Sequence, residues 1–140
     1  MMVKGLSIGE VQMIAHTLAI NWMEWGEPIP PFSSRFPAKL ESCLAMPFQT
    51  VGRKDLYPGL LQKAAILFYL LVKNHPFQNG NKRIAVTSLL VFLHKNEKWL
   101  RVDNQELYNF AVWVAESPAS VKSQTVDAIH VFVESHLIDL

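Results

Sequence analysis

Between two apolar stretches of this chain lies His75-Pro76-Phe77-Gln78-Asn79-Gly80-Asn81-Lys82-Arg83, which crowds a histidine, two asparagines, a lysine and an arginine into one turn. Those residue types suit an anion held beside a nucleophile. An imidazole is partly neutral near pH 7 and can accept a proton, which makes His75 a candidate general base. A lone histidine at a helix end more often bonds the last carbonyls, and it is the company His75 keeps that favours the base. Gly80 permits a positive φ or a close backbone approach. Arg83 offers a two-pronged fork to phosphate oxygens and Lys82 a point charge. Both cations fall in the first turn of the next helix, where they oppose its dipole and where an anion would relieve the conflict. Asn79 and Asn81 each carry two readings, as caps of that helix or as amides for phosphate or a metal ion. Pro76 and Phe77 serve geometry, one fixing the exit from the incoming helix and the other anchoring the turn in the core.

The elements that must hold this turn can be read from periodicity. Leu60, Leu61, Ala64, Ala65, Leu67, Phe68, Leu71 and Val72 recur at helical spacing around most of a circumference, which predicts a buried helix from Pro58 to near Asn74. His75 precedes Pro76, so the right-handed helix stops there. Ile84 to Leu93 is almost wholly apolar and predicts a second buried helix, antiparallel to the first and ending around Lys95 or Asn96. The motif is therefore the loop between two core helices.

Upstream, Ser7 and Glu10 have capping-box spacing and open a helix that should run to about Trp25, before a proline-rich loop from Gly26 to Pro31. Ser33 or Ser34 is expected to cap a short helix through Pro37 to Ala45. Phe48 to Tyr57 mixes β-formers around Gly52-Arg53-Lys54-Asp55 and reads as a small hairpin or flap. Downstream, Lys98 to Val102 alternates briefly, Asp103 to Glu106 repeats capping-box spacing before a helix to Glu116, and a last helix from about Ser120 carries Val121, Val126, Ile129, Val133 and Leu137. One domain over residues 1–140, an orthogonal or up-and-down helical bundle with one small flap, accommodates all of this.

Half of the 140 residues are apolar and 18% are charged, a composition that excludes a disordered chain. A formal charge of +1 gives no general attraction to nucleic acid, and Arg53, Lys54 and Lys63 are too scattered to make a footprint. The longest apolar run, Ala64 to Val72, is far shorter than the roughly 20 residues that cross a bilayer, and the N-terminus lacks the apolar run of a secretory signal. A single cysteine, Cys43, fits a reducing compartment, so a cytoplasmic protein without membrane contact is expected. Cys43 reads as a small buried apolar residue. His16, His94, His130 and His136 lack the spacing of a metal site and belong to surface or core. Trp22, Trp25, Trp99 and Trp113 are more often core residues than the lining of a partner groove.

The motif from His75 to Arg83 resembles the Fic/Doc signature, and its death-on-curing (Doc) branch most closely. The likeness extends over about Ser34 to Trp99, through Leu40-Glu41-Ser42, Phe48-Gln49-Thr50, Leu56-Tyr57-Pro58 and the long apolar helix. It implies an all-α Fic/Doc-type helical bundle with a small β-hairpin flap, which binds ATP with Mg2+ and transfers part of it to a hydroxyl of a protein. By that resemblance His75 deprotonates the hydroxyl, and Asn81 with the amides around it forms an anion hole. Gly80, Lys82 and Arg83 hold the phosphates. Asn79 stands at the metal-ligand position, and Phe48, Gln49, Thr50 and Val51 align the target by strand addition.

Lys82 stands where AMP-transferring members have glycine, and Val86 where they have a second arginine. Both departures match the Doc branch, which implies γ-phosphate transfer and a protein kinase directed at a translation elongation factor. AMP transfer, or a catalytically weak module whose loop only docks a partner, are the alternatives. Asn79 departs from the acidic residue common at its position, and a neutral amide binds magnesium less strongly than a carboxylate. Members of the family are often restrained by an inhibitory helix marked by Ser or Thr, three residues, Glu and then Gly or Asn, a pattern that no glutamate here satisfies. Restraint is therefore expected from a separate small antitoxin.

Overall fold

The computed structural model describes residues 2–22 and 27–140. Ser7 opens the first helical rod by the expected reciprocal cap: its hydroxyl accepts from the Glu10 N–H at 3.1 Å, and the Glu10 carboxylate accepts from the Ser7 N–H at 2.9 Å. The rod begins as α1 (Ile8–Glu10), widens to a π-helical turn over Val11–Ala15 and resumes as α2 (His16–Trp22). At the widened turn the Ala15 carbonyl receives the Thr87 hydroxyl at 2.8 Å. The expected helix end at Trp25, Trp25 itself and the start of the loop at Gly26 lie outside the described residues.

The short second helix forms as α3 (Pro37–Ala45), but neither Ser33 nor Ser34 caps it. Both belong to a separate 3-10 turn, Phe32–Ser34, in which the Ser34 hydroxyl donates back to the Pro31 carbonyl at 2.7 Å. Phe36 takes the cap position, and Pro37 starts the helix where a missing N–H does no harm. Pro47 then sits in a 3-10 turn, Met46–Phe48, that leads to the hairpin.

That hairpin pairs β1 (Thr50–Val51) with β2 (Lys54–Asp55) in antiparallel register, Thr50 opposite Asp55 and Val51 opposite Lys54. Gly52 and Arg53 make its tight turn at φ 58° and 68°. Phe48 is not in the strand: it is half-buried, with its ring against Gly5 and 5.4 Å from the Lys63 ammonium. Lys63 is itself buried, and donates to Asp55 at 3.0 Å and to the Tyr57 carbonyl at 2.5 Å. It anchors the hairpin and is no surface cation.

α4 (Gly59–Lys73) is buried without a break from Lys63 to Val72, as a helix apolar on every side must be. α5 (Asn81–Lys95) follows a short turn, is buried from Arg83 to Leu93, and packs on α4, on the first rod and on α6 (Asn104–Glu116). Asp103 caps α6 by accepting from the Gln105 and Glu106 N–H groups. α7 (Lys122–His136) closes the other side of α4.

Leu137 does not continue the last helix. It begins β4 (Leu137–Asp139), which pairs antiparallel with β3 (Lys98–Leu100), so the brief alternation around Trp99 finds its partner at the far end of the chain. Trp22 and Trp99 are half-buried against the core, whereas Trp113 is 49% exposed and stacks on Phe110. No helix among the described residues is long and apolar enough to cross a membrane.

Candidate active site

Where α4 ends, Asn74 is its C-cap and His75 turns the chain with φ 49°, a left-handed conformation uncommon outside glycine. Proline at the next position bars the right-handed helix, and the packed surroundings hold the turn in place. The Pro76 carbonyl accepts from the Phe36 N–H at 2.8 Å, and Phe77 is buried against the Phe32 and His16 rings at 5.8 and 6.0 Å. His16 in turn bonds the Pro30 carbonyl through Nε2 at 2.8 Å. The His75 side chain itself is exposed, at the mouth of a turn pinned from behind.

Neither asparagine caps α5. Gly80 does so, at φ 71°, and this leaves both amides for other work. Asn81, buried, folds back on the loop: its Oδ1 accepts from the Phe77 N–H at 3.0 Å and its Nδ2 donates to the Phe77 carbonyl at 2.9 Å. The same Nδ2 lies 3.5 Å from His75 Nδ1. Asn79 is half-exposed, and its side chain has no hydrogen-bond partner among the described residues.

The two cations are brought to one place but are already partnered. Lys82 Nζ meets the Glu27 carboxylate at 3.1 Å. Arg83 is 6% exposed and donates from Nη1 to the Glu27 carbonyl at 3.0 Å and from Nη2 to the Ala19 carbonyl at 2.5 Å, while its Nε is buried without a partner. An internal carboxylate and two carbonyls thus answer the charge conflict that the sequence assigned to an external anion. Arg83, expected on the phosphates, is here a strut between α5 and the first rod. Residues 28–29 also lie on the turn: a Cβ at Gly80 would stand 2.6 Å from Ile29 Cδ1 and 3.1 Å from the Pro28 carbonyl oxygen.

Glu27 and Ala19 were not legible as site residues, since nothing in a proline-rich loop or a helix alanine marks a carbonyl that faces a guanidinium. The first-turn N–H groups of α5 have no intrahelical partners, as in any helix, and supply the anion-facing dipoles. The hairpin is anchored at Lys63, roughly 15 Å along α4 from the end that bears His75. Of the expected flap residues only Thr50 and Val51 form strand, with Gln49 linked across the hairpin by its carbonyl to the Leu56 N–H at 2.9 Å.

The described residues hold no group of three His, Cys, Asp or Glu side chains able to grip a metal ion. Asn79, half-exposed in the turn, offers one neutral amide oxygen. His136 has one carboxylate near it, Glu106 at 4.0 Å, far from a ligand set. Cys43 is fully buried; burial pushes its thiol up to about 11, with Asn74 opposing, so it is no nucleophile at neutral pH.

The Fic/DOC family model matches residues 7–93. A curated relative, "Toxin Doc" of Mycolicibacterium smegmatis (strain ATCC 700084 / mc(2)155), is 42% identical over 64 residues, which cover 46% of this chain and 49% of the relative. The alignment therefore spans about half the length of the curated relative. No solved structure gives a significant match.

Proposed function

Because the chain belongs to the Fic/DOC family, we propose that it is a Doc-like toxin that transfers the γ-phosphate of ATP to a hydroxyl of a target protein, of the translation elongation factor type. The observation that carries this reading is the exposed His75 ring beside Asn81, on a turn whose next residues open the N-terminus of α5. His75 takes the hydroxyl proton. The free N–H groups at the start of α5 and the Lys82 ammonium face the phosphates, so catalysis is positioning and charge stabilisation. Lys82 must exchange Glu27 for phosphate to do so. Arg83 contributes by holding α5 against the first rod, and reaches a phosphate only if it releases its carbonyls.

Asn79 is the side chain that could add a ligand to a magnesium ion, which when bound would supply neutralisation of phosphate charge. The hairpin edge at Thr50–Val51 would receive the target main chain as an added strand. A small antitoxin is the partner that restrains the enzyme, and the site of action is the cytoplasm. Similarity to a protein named Toxin Doc supports the toxin reading, and the pair Lys82 and Val86 supports phosphate transfer over AMP transfer.

ATP labelled at the α or the γ position, incubated with the protein and a cell lysate, tests the reading. Label from the γ position alone should appear on protein, and α label there would establish AMP transfer. A second reading, a binding module with weak or no catalysis, draws support from the engaged Arg83 and the neutral Asn79. Growth inhibition that survives His75→Ala would decide for that module.

A further inference from the structure

We propose that Asn81 is a positioning residue that fixes which nitrogen of His75 accepts the proton: Nδ1, with the resting hydrogen on Nε2. The catalytic part rests on the reading of His75 as the base, while the tautomer itself can be observed apart from any activity. Backbone groups settle the orientation of the Asn81 amide. The Phe77 N–H can only donate, so the atom 3.0 Å from it is Oδ1; the Phe77 carbonyl can only accept, so the atom 2.9 Å from it is Nδ2. Turned over, the amide would set donor against donor and acceptor against acceptor.

One hydrogen of Nδ2 is used by Phe77, and the other is left for the side of His75, whose Nδ1 lies 3.5 Å away. A ring nitrogen that faces an N–H presents its lone pair, which puts the hydrogen of the neutral ring on Nε2. The backbone that carries the ring is held at φ 49° between the end of α4 and Pro76, whose carbonyl is pinned by Phe36. At 3.5 Å the contact is at the long end of a hydrogen bond, so the Nδ1 lone pair is oriented by Asn81 yet still open to an incoming proton. Under the proposed activity the target hydroxyl donates to His75 Nδ1. As the O–H bond breaks, Nδ1–H forms and the oxygen's electron pair makes the new O–P bond. The bond from phosphorus to the departing nucleoside diphosphate breaks, and its pair leaves with that product.

The test is long-range 1H–15N correlation on 15N-histidine-labelled protein at a pH above the ordinary imidazole range, with His75 assigned by the signal that His75→Gln lacks. In the unaltered protein Nδ1 should resonate as the unprotonated nitrogen. Asn81→Ala should lower the Nε2–H to Nδ1–H ratio about threefold or more, and Asn81→Asp, which presents an acceptor, should reverse it. A protonated Nδ1 in the unaltered protein overturns the proposal, as does a ratio that Asn81→Ala leaves unmoved. If instead His75→Gln retains transfer activity, the reading of His75 as the base fails while the tautomer assignment stands.

Discussion

Replacing Arg83 with alanine removes two hydrogen bonds from a charged donor to backbone carbonyls, at Ala19 and Glu27, and leaves the buried Ala19 carbonyl without its partner. Bonds to charged groups contribute about 1.5–3 kcal/mol each. The Glu27 carbonyl is only part-buried and can turn to water, so its share falls at the low end. Lost packing of the buried aliphatic stem adds to the total. The sum is about 3–5 kcal/mol, a large part of a typical domain's 5–15 kcal/mol, and the variant should still fold. Urea denaturation read by tryptophan fluorescence should show the midpoint fall with m unchanged. Arg83→Lys, whose ammonium lacks the planar fork, should lose about half as much. A loss below about 1 kcal/mol in Arg83→Ala would refute the strut, since it would mean that the carbonyls find equal partners elsewhere. A phosphate-binding role predicts the opposite pattern, with activity lost in Arg83→Lys and stability intact.

Three further outcomes follow from the geometry. Gly80→Ala combines a left-handed residue, about 1–2 kcal/mol, with a clash against a backbone carbonyl, and should destabilise by about 2–4 kcal/mol in the same denaturation assay. Glu27→Gln frees Lys82 while changing stability by less than about 1 kcal/mol; under the proposed activity it should tighten ATP binding up to about fivefold by calorimetry, and weaker binding would contradict the competition. Folded Cys43 keeps its proton up to about 11 whereas the unfolded thiol loses it near 9.0, so its contribution to stability is complete below 9.0 and declines as pH rises through that window. The stability difference between the unaltered protein and Cys43→Ala should shrink across that range, and the native thiol should resist alkylation at neutral pH.

Local chemistry was legible where a residue's partner lies a few positions away. The Ser7–Glu10 cap, the helix stop before Pro76 and the helical repeat of α4 all depend on neighbours within a turn or on one continuous apolar face. Reading failed where the partner is remote. Leu137 pairs with Leu100, and no periodicity at either end announces that register. Asn79 and Asn81 were both plausible caps, but Gly80 takes the position because only glycine accepts its φ so close to Ile29. Arg83 was rightly placed at the start of α5, yet its charge is answered by carbonyls some 60 residues upstream, and the bare sequence of cations could not show it. The motif therefore specified which residues assemble, and the fold decided which of them are already occupied.

The two bonds from α5 to the first rod share a spacing. Thr87 reaches Ala15 and Arg83 reaches Ala19, four residues apart on each side and in opposite directions along the chain. Both alanines are fully buried, and their small side chains let the helices approach closely. Such a pair works as a toothed rack: displacement by a fraction of a turn bares two carbonyls at once, whereas a full turn of about 5.4 Å brings new carbonyls into reach. The first rod is consequently tied to the start of α5 at two points a helical turn apart, the nearer of them beside the turn that carries His75.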